Sequence, residues 1–294
     1  MTAIIETVGL GRRYGDVRAV DDVTFAVEEG SVCGLLGRNG AGKTTLLQLL
    51  TGQEFATHGE ARVFGEAPLE NPRVLGRTCF VKESQTYPDP VKGRHVLRAA
   101  AWSFPGWDAA YAARLARELA VPLDRRMKKL SRGQRSAIGV IVGLASRAEL
   151  TLFDEPYAGL DAVARRLFYD LLVEDLAAHP RTVMMSTHLI DEASHLLDRV
   201  VVIDAGRILI DESADALRGT AVTVVGRSDD VDAFASGRDV LRRERIGGIA
   251  SATVAGVDDA GRAAALAAGL ELAPVSLQEL VVARTGGRRE EEGS

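Results

Sequence analysis

Gly37, Arg38, Asn39, Gly40, Ala41, Gly42, Lys43, Thr44 and Thr45 follow the spacing G-x-x-x-x-G-K-[ST]. That spacing suits one task. Glycines let backbone N–H groups turn inward around an anion, a lysine reaches the outer phosphates, and a hydroxyl stands ready for a divalent cation. The match carries weight because of its context. An apolar run at 32–36 leads into it and a helical pattern at 43–50 leads out, so the loop ends on the positive end of a helix dipole. The reading is a cradle for nucleotide phosphates at Gly37, Asn39, Gly40, Ala41, Gly42, Lys43, Thr44 and Thr45, with Thr44 a ligand of Mg²⁺.

A second group complements it. Thr151, Leu152, Phe153, Asp154, Glu155 and Pro156 place two carboxylates at the end of an apolar strand. Open parallel sheets bind ligands at the carboxyl ends of their strands. Asp154 then belongs to the Mg²⁺ shell, through water, and Glu155 accepts a proton from an attacking water or orients it.

These residues need a scaffold, and the hydrophobic pattern supplies one. Residues 4–8, 23–27 and 61–64 alternate as strands with one buried face and suggest an antiparallel layer. Residues 32–36, 150–153, 182–186 and 199–203 are continuous apolar strands, the mark of a sheet buried on both faces. Helical patterns at 43–50, 162–176 and 190–197 lie between them. Strand, helix and strand at these intervals predict a parallel sheet with crossover helices. Residues 92–147 are mostly helical in pattern and predict an inserted lobe. After Gly219 two strands (222–225, 252–257) and two helices (261–268, 276–283) predict a small α/β appendage to residue 287, and the charged stretch 288–294 reads as disordered.

Bulk composition narrows the classes. The chain has 294 residues, 46% hydrophobic and 26% charged, and a net charge of −5. With no dense basic run read along the chain, charge alone does not favour nucleic acid. Residues 1–9 lack the basic start and apolar core of a signal peptide, and the longest apolar run, near 138–145, is far short of a membrane span. Cys33 and Cys79 have no metal or disulfide spacing and read as buried thiols.

Leu130, Ser131, Arg132, Gly133 and Gln134 open a helical stretch upstream of Asp154. In that order the chain resembles the ATP-binding cassette ATPases, whose signature is LSGGQ, with Arg132 in place of the first glycine. The resemblance covers about residues 3–218. It implies a P-loop NTPase α/β fold: a parallel sheet core, an antiparallel β subdomain, an inserted helical subdomain over about 92–147, and the appendage from 219. It also implies that two cassettes pair head to tail, so that Ser131, Arg132, Gly133 and Gln134 of one chain close on the γ-phosphate held by the other. Tyr14 matches the aromatic that stacks on adenine. Asp161 matches the loop between cassettes, and His188 the histidine that senses γ-phosphate. A glutamine that touches Mg²⁺ and couples to the membrane partner corresponds to either Glu83 or Gln85, and distance from Phe80 and Val81 leans to Glu83.

Within the family the chain looks like bacterial ABC-2 type exporter ATPases, through Phe104, Pro105, Gly106, Trp107 and Asp108 and through residues 274–285. The implied function is an ATP-hydrolysing subunit using ATP and Mg²⁺. It would pair with a second nucleotide-binding domain and drive a separate transmembrane permease from the cytoplasmic face of the membrane. The alternative is a soluble cassette protein acting on nucleic acid or ribosomes. Neither the paired cassettes of translation factors nor the coiled coils of repair proteins are present, and no nucleic acid is expected. A GTPase or kinase is disfavoured by Tyr14, by the signature and by the lack of an Asn-Lys-x-Asp motif.

Overall fold

The structure is a computed structural model that describes residues 2–83 and 85–286. Its contacts divide the chain into two compact units. The first comprises residues up to His188 together with Arg199–Asp211, and the second Leu189–Asp198 together with everything from Glu212. This differs from the expected 1–218 and 219–287. The proposed disordered stretch 288–294 lies outside the described residues.

The first unit opens with β1 (Ala3–Tyr14), β2 (Val17–Glu28), β3 (Val32–Leu36), α1 (Lys43–Leu50) and β4 (His58–Val63). Strands β2, β1 and β4 form an antiparallel three-stranded sheet. The expected alternation is there, but β1 and β2 run to twelve residues each. There follow α2 (Pro72–Leu75), β5 (Thr78–Val81), α3 (Gly93–Ser103), α4 (Ala109–Glu118), α5 (Arg132–Ala145), β6 (Leu150–Asp154), α6 (Ala162–Ala178), β7 (Thr182–Thr187), β8 (Arg199–Asp204) and β9 (Arg207–Ser213). The main sheet has the order β5-β6-β7-β3-β8-β9. Strands β5, β6, β7, β3 and β8 are parallel, so their carboxyl ends share one edge. All five residues of β3 and of β6 are buried, as continuous apolar runs require.

Helix α5 lies directly on this sheet. A Cβ on Gly143 would stand 2.4 Å from a Phe153 ring carbon, so only glycine permits the approach. Helices α3 and α4 pack on α5 to form the expected lobe. A buried ionic cluster anchors the lobe. Asp175 of α6 is hydrogen-bonded to Arg147 and, at 2.5 Å, to Arg181 Nη2. Arg147 also donates to Asp108 at 3.1 Å, and Asp108 caps α4 by accepting from Tyr111 N. That backbone donor, with Arg147, holds the Asp108 carboxyl below the usual carboxylate range. Cys33 and Cys79 are buried free thiols, and burial pushes the Cys79 thiol up to about 12.

The second unit contains α7 (Ile190–Ala193), α8 (Ala214–Gly219), β10 (Ala221–Arg227), α9 (Ser228–Ala235), β11 (Val240–Ile246), β12 (Ile249–Ala255), α10 (Asp259–Ala267), β13 (Glu271–Pro274) and α11 (Leu277–Gly286). The expected helix at 190–197 is corrected here: α7 ends after one turn and a 3₁₀ turn, Ser194–Leu196, follows. Its polar groups are satisfied by C-terminal elements. Asp191 accepts from Gln278 N, the Ser194 carbonyl from Arg218, and the Asp198 carbonyl from Ala214 N. Strands in the order β11-β12-β10-β13, all antiparallel, make a four-stranded sheet where two strands were expected. The β-α-β-β-α-β succession from β10 to β13 is a split βαβ, or ferredoxin-like, arrangement. Val231, Ala235 and Ala265 of its two helices pack with Val222, Val224, Ala252 and Val254 of the sheet. Strand β11 escaped the sequence reading because its Arg242, Arg243, Glu244 and Arg245 give it no apolar stripe.

Removing Asp175 takes the carboxylate from buried Arg181 and leaves Arg147 only Asp108. Asp175→Ala should destabilise the first unit by about 3–5 kcal/mol, read as a lowered urea midpoint. A midpoint equal to the parent's would show that the cluster does not hold the lobe.

Candidate functional site

Parallel register brings the site together. Leu36 pairs with Thr187, Asp154 with Ser186 and Val81 with Phe153. The next residue of each strand therefore leaves at the same edge: Gly37, His188, Glu155 and Lys82.

The loop after β3 needs glycine for steric reasons. A Cβ on Gly42 (φ +109) would stand 2.3 Å from the Ala19 carbonyl oxygen, and one on Gly37 2.3 Å from that of Ile203. Gly206 N donates to Ala41 O and Asp21 N to Gly206 O, which backs the loop against β2 and the β8–β9 turn. Lys43 is 6% exposed, and its Nζ donates to Gly37 O at 2.8 Å and Arg38 O at 3.2 Å. It also lies 3.3 Å from Glu155 Oε1.

Asp154 is 1% exposed and has both carboxylate oxygens engaged. Thr44 Oγ1 donates to Oδ2 at 2.8 Å, and Ser186 Oγ to Oδ1 at 2.7 Å. Ser186 Oγ in turn accepts from Glu155 N at 3.0 Å. Glu155 has φ +44, a left-handed conformation that non-glycine residues adopt at a cost and that clusters at functional sites. That turn aims its carboxylate back between Lys43 and His188, whose Nδ1 lies 2.9 Å from Glu155 Oε2. A contact to a carboxylate, which only accepts, calls for the tautomer with its hydrogen on Nδ1. Tyr157 fixes the histidine: its hydroxyl accepts from His188 N at 3.2 Å, lies 2.5 Å from Thr187 Oγ1, and its ring meets the imidazole edge-on at 5.8 Å. Lys43, Thr44, Asp154, Glu155 and His188 are thus one connected cluster.

The other expected residues lie elsewhere. Ser131 caps α5: Gln134 N donates to Ser131 Oγ, and Ser131 N to Gln134 Oε1, each at 3.1 Å. The cap uses the hydroxyl as acceptor and leaves its proton to donate. Gly133 lies against Gly159, whose carbonyl oxygen would be 2.5 Å from an added Cβ. Arg132 pairs with Glu83 at 3.2 Å. Asp161 caps α6 by accepting from Ala164 N at 2.8 Å. Tyr14 is 41% exposed at the end of β1, with the Arg12 guanidinium 4.4 Å from its ring centre. Gln85 Oε1 accepts from Lys82 N at 3.4 Å. Gln85 and Glu155 line one cavity of about 220 Å³ beside α5.

Ser186 and Tyr157 were missed by sequence reasoning. A serine inside an apolar strand was the available signal. The net charge also hid a basic stretch: Arg125, Arg126, Lys128, Lys129, Arg132 and Arg135 fall within residues 125–135 without an acid among them.

The family model for ABC transporters matches residues 20–158. The aliphatic sulfonates import ATP-binding protein SsuB 1 of Nocardia farcinica is 35% identical over 214 residues, 73% of this chain and 83% of that protein. The chain belongs to the ABC transporter family, as an ATP-binding subunit. Other relatives in this family include the daunorubicin/doxorubicin resistance ATP-binding protein DrrA of Streptomyces peucetius, 32% identical over 74% of this chain and 68% of that protein. The ABC transporter ATP-binding protein YtrB of Bacillus subtilis is 23% identical but spans 97% of this chain and 99% of its own. Among solved structures, an ATP-binding subunit of an ABC transporter superposes with a TM-score of 0.65 at 24% identity, covering 73% of this chain and 92% of that one. The P-loop NTPase fold is thereby matched. As an ABC cassette, the chain is an ATPase.

Ser186 joins Asp154 to the Glu155 backbone in a buried setting, where losing a hydrogen-bond partner costs about 1–3 kcal/mol. Ser186→Ala should therefore lower steady-state ATP turnover by about ten-fold. Turnover within two-fold of the parent, in a variant with unchanged far-UV circular dichroism, would remove Ser186 from the site.

Proposed function

We propose that this subunit powers a separate membrane permease in the outward direction, by ATP-driven pairing with a second cassette. The observation that carries the reading is the Lys43–Glu155–His188 chain of contacts beside a single phosphate loop. The chain holds one such loop and one signature, so two complete sites need two cassettes. A second copy related by twofold symmetry is the simplest supply. Names of relatives point both ways on direction, since DrrA is a resistance protein and SsuB 1 an import protein. Residues 104–108 and 274–285 favour the ABC-2 type exporters.

The residues divide the work. The loop 37–45 and Lys43 hold the phosphates, and Tyr14 offers a face for adenine. Thr44 and Asp154 provide hard oxygens 2.8 Å apart, a donor set that fits Mg²⁺, which takes one or two protein oxygens together with phosphates. Among the described residues no group of three or more His, Cys, Asp or Glu offers a rival metal site. Held by Thr44 and Asp154, Mg²⁺ would supply neutralisation of phosphate charge. Glu155 takes the proton of the attacking water, and His188 orients that carboxylate and supports charge on the γ-phosphate. Ser131, Arg132, Gly133 and Gln134 face the partner's nucleotide, and Asp161 lies in the loop between cassettes.

No helix among the described residues is long and apolar enough to cross a membrane. A permease would dock at the cavity beside α5, placing the subunit at the inner membrane face. Lys82, Lys128, Arg132 and Arg135 line that cavity, which supports a docking segment that carries acids. Gln85, rather than Glu83, shares the cavity with Glu155, so we assign it the coupling role. The first unit is the cassette and the second its appendage.

Glu155→Gln keeps the shape of the site and removes the proton acceptor. With ATP this variant should elute as a dimer on a sizing column, with turnover reduced at least 100-fold, within the range for general-base loss. A variant that stays monomeric and hydrolyses normally overturns the assignment.

A further inference from the structure

One residue departs from the signature pattern, and in the fold it meets an acid beside the coupling glutamine. Arg132 stands where the signature has glycine, and Glu83 lies two residues before Gln85. Arg132 Nη2 donates to Glu83 Oε1 at 3.2 Å. The stem of Arg132 has its own seat. A Cβ on Gly159 (φ +86) would meet Arg132 Cγ at 2.7 Å and Cδ at 3.1 Å, so the glycine leaves the room that the stem fills. The start of α5 is fixed to the same loop twice more. Gly133 abuts the Gly159 carbonyl, and Ser136 Oγ donates to Ala158 O at 2.5 Å. One end of Arg132 is therefore rigidly placed on the segment that follows Glu155, and its charged end reaches the segment that follows β5.

We propose that Arg132 and Glu83 form a latch within the chain that holds the loop after β5 to the start of α5. Arg132 is then a positioning residue as well as a signature residue. Arg132 lines the cavity that Gln85 and Glu155 share, so, resting on the docking and catalytic roles proposed above, the loop after β5 and the loop after Glu155 move as one piece. The two charges suit each other. Arginine alone would leave a cation beside Lys82, Lys128 and Arg135, and glutamate alone an anion without its partner. Both side chains are substantially exposed, at 60% and 42%, so the latch has the modest strength of a surface pair and yields to salt.

Hydrogen exchange on the full chain tests this without depending on nucleotide turnover. At low salt, Arg132→Ala and Glu83→Gln should each speed exchange of the amides at 82–87 by about two- to five-fold, the range expected for an exposed pair. Combining them should add nothing further, because both remove the same contact. Arg132→Lys should retain most of the protection, and the charge swap R132E/E83R should restore it. At 1 M salt the parent should exchange as fast as the variants. Unchanged exchange at 82–87 in Arg132→Ala, multiplied effects in the double variant, or a charge swap no better than the singles would each overturn the latch. Far-UV circular dichroism identifies any variant that has not folded, and Glu83→Gln, isosteric and exposed, keeps the test open if Arg132→Ala has not.

Discussion

The Asp154 carboxylate is almost wholly removed from water, which an ionised group tolerates only with strong partners. Its partners come from two other elements: Thr44 at the start of α1 and Ser186 near the end of β7. Strand β7 lies between β6 and β3 in the sheet. The carboxylate therefore ties the phosphate loop, the central strand and the acidic strand end at one point. Through Ser186 the tie extends to the Glu155 backbone, and through Glu155 to Lys43 and His188.

Around that point the backbone is held in conformations that a free chain avoids. Glu155 sits at positive φ, and Gly42 sits where any side chain would strike the Ala19 carbonyl. Such strain persists because the surroundings over-determine it. What results is preorganisation. Lys43 and His188 each contact Glu155, and Lys43 also contacts two backbone carbonyls, so in the proposed cycle incoming phosphate exchanges partners with groups already in position instead of ordering them.

The signature shows how one residue type serves two ends. A serine at the start of a helix is commonly just a cap, and Ser131 is one. Its cap role consumes acceptor capacity only, which leaves a donor and the helix dipole facing outward. The same stretch concentrates positive charge beside the cavity that Gln85 and Glu155 share, on a chain whose net charge is −5. Local charge, not the total, is what an approaching segment meets.

The phosphate loop, the acidic strand end and the parallel sheet were legible in the sequence because local rules dictate them. Glycine spacing, buried apolar runs and helix periodicity each act within about ten residues. The antiparallel layer and the helical lobe were legible for the same reason. Residues whose roles depend on distant partners were not: Ser186 reads as strand filler until Asp154 lies beside it, and Tyr157 as core until Thr187 and His188 meet its hydroxyl. The segment 190–197 carries a helical pattern, yet C-terminal groups take up its polar atoms and cut it to one turn. Strand β11 exists because β12 pairs with it, not because its own residues demand a strand. Sequence by itself determined which phosphate chemistry the chain is equipped for. Only tertiary structure decided which polar groups share a hydrogen bond, because such bonds join residues that the sheet, and nothing local, brings within 3 Å.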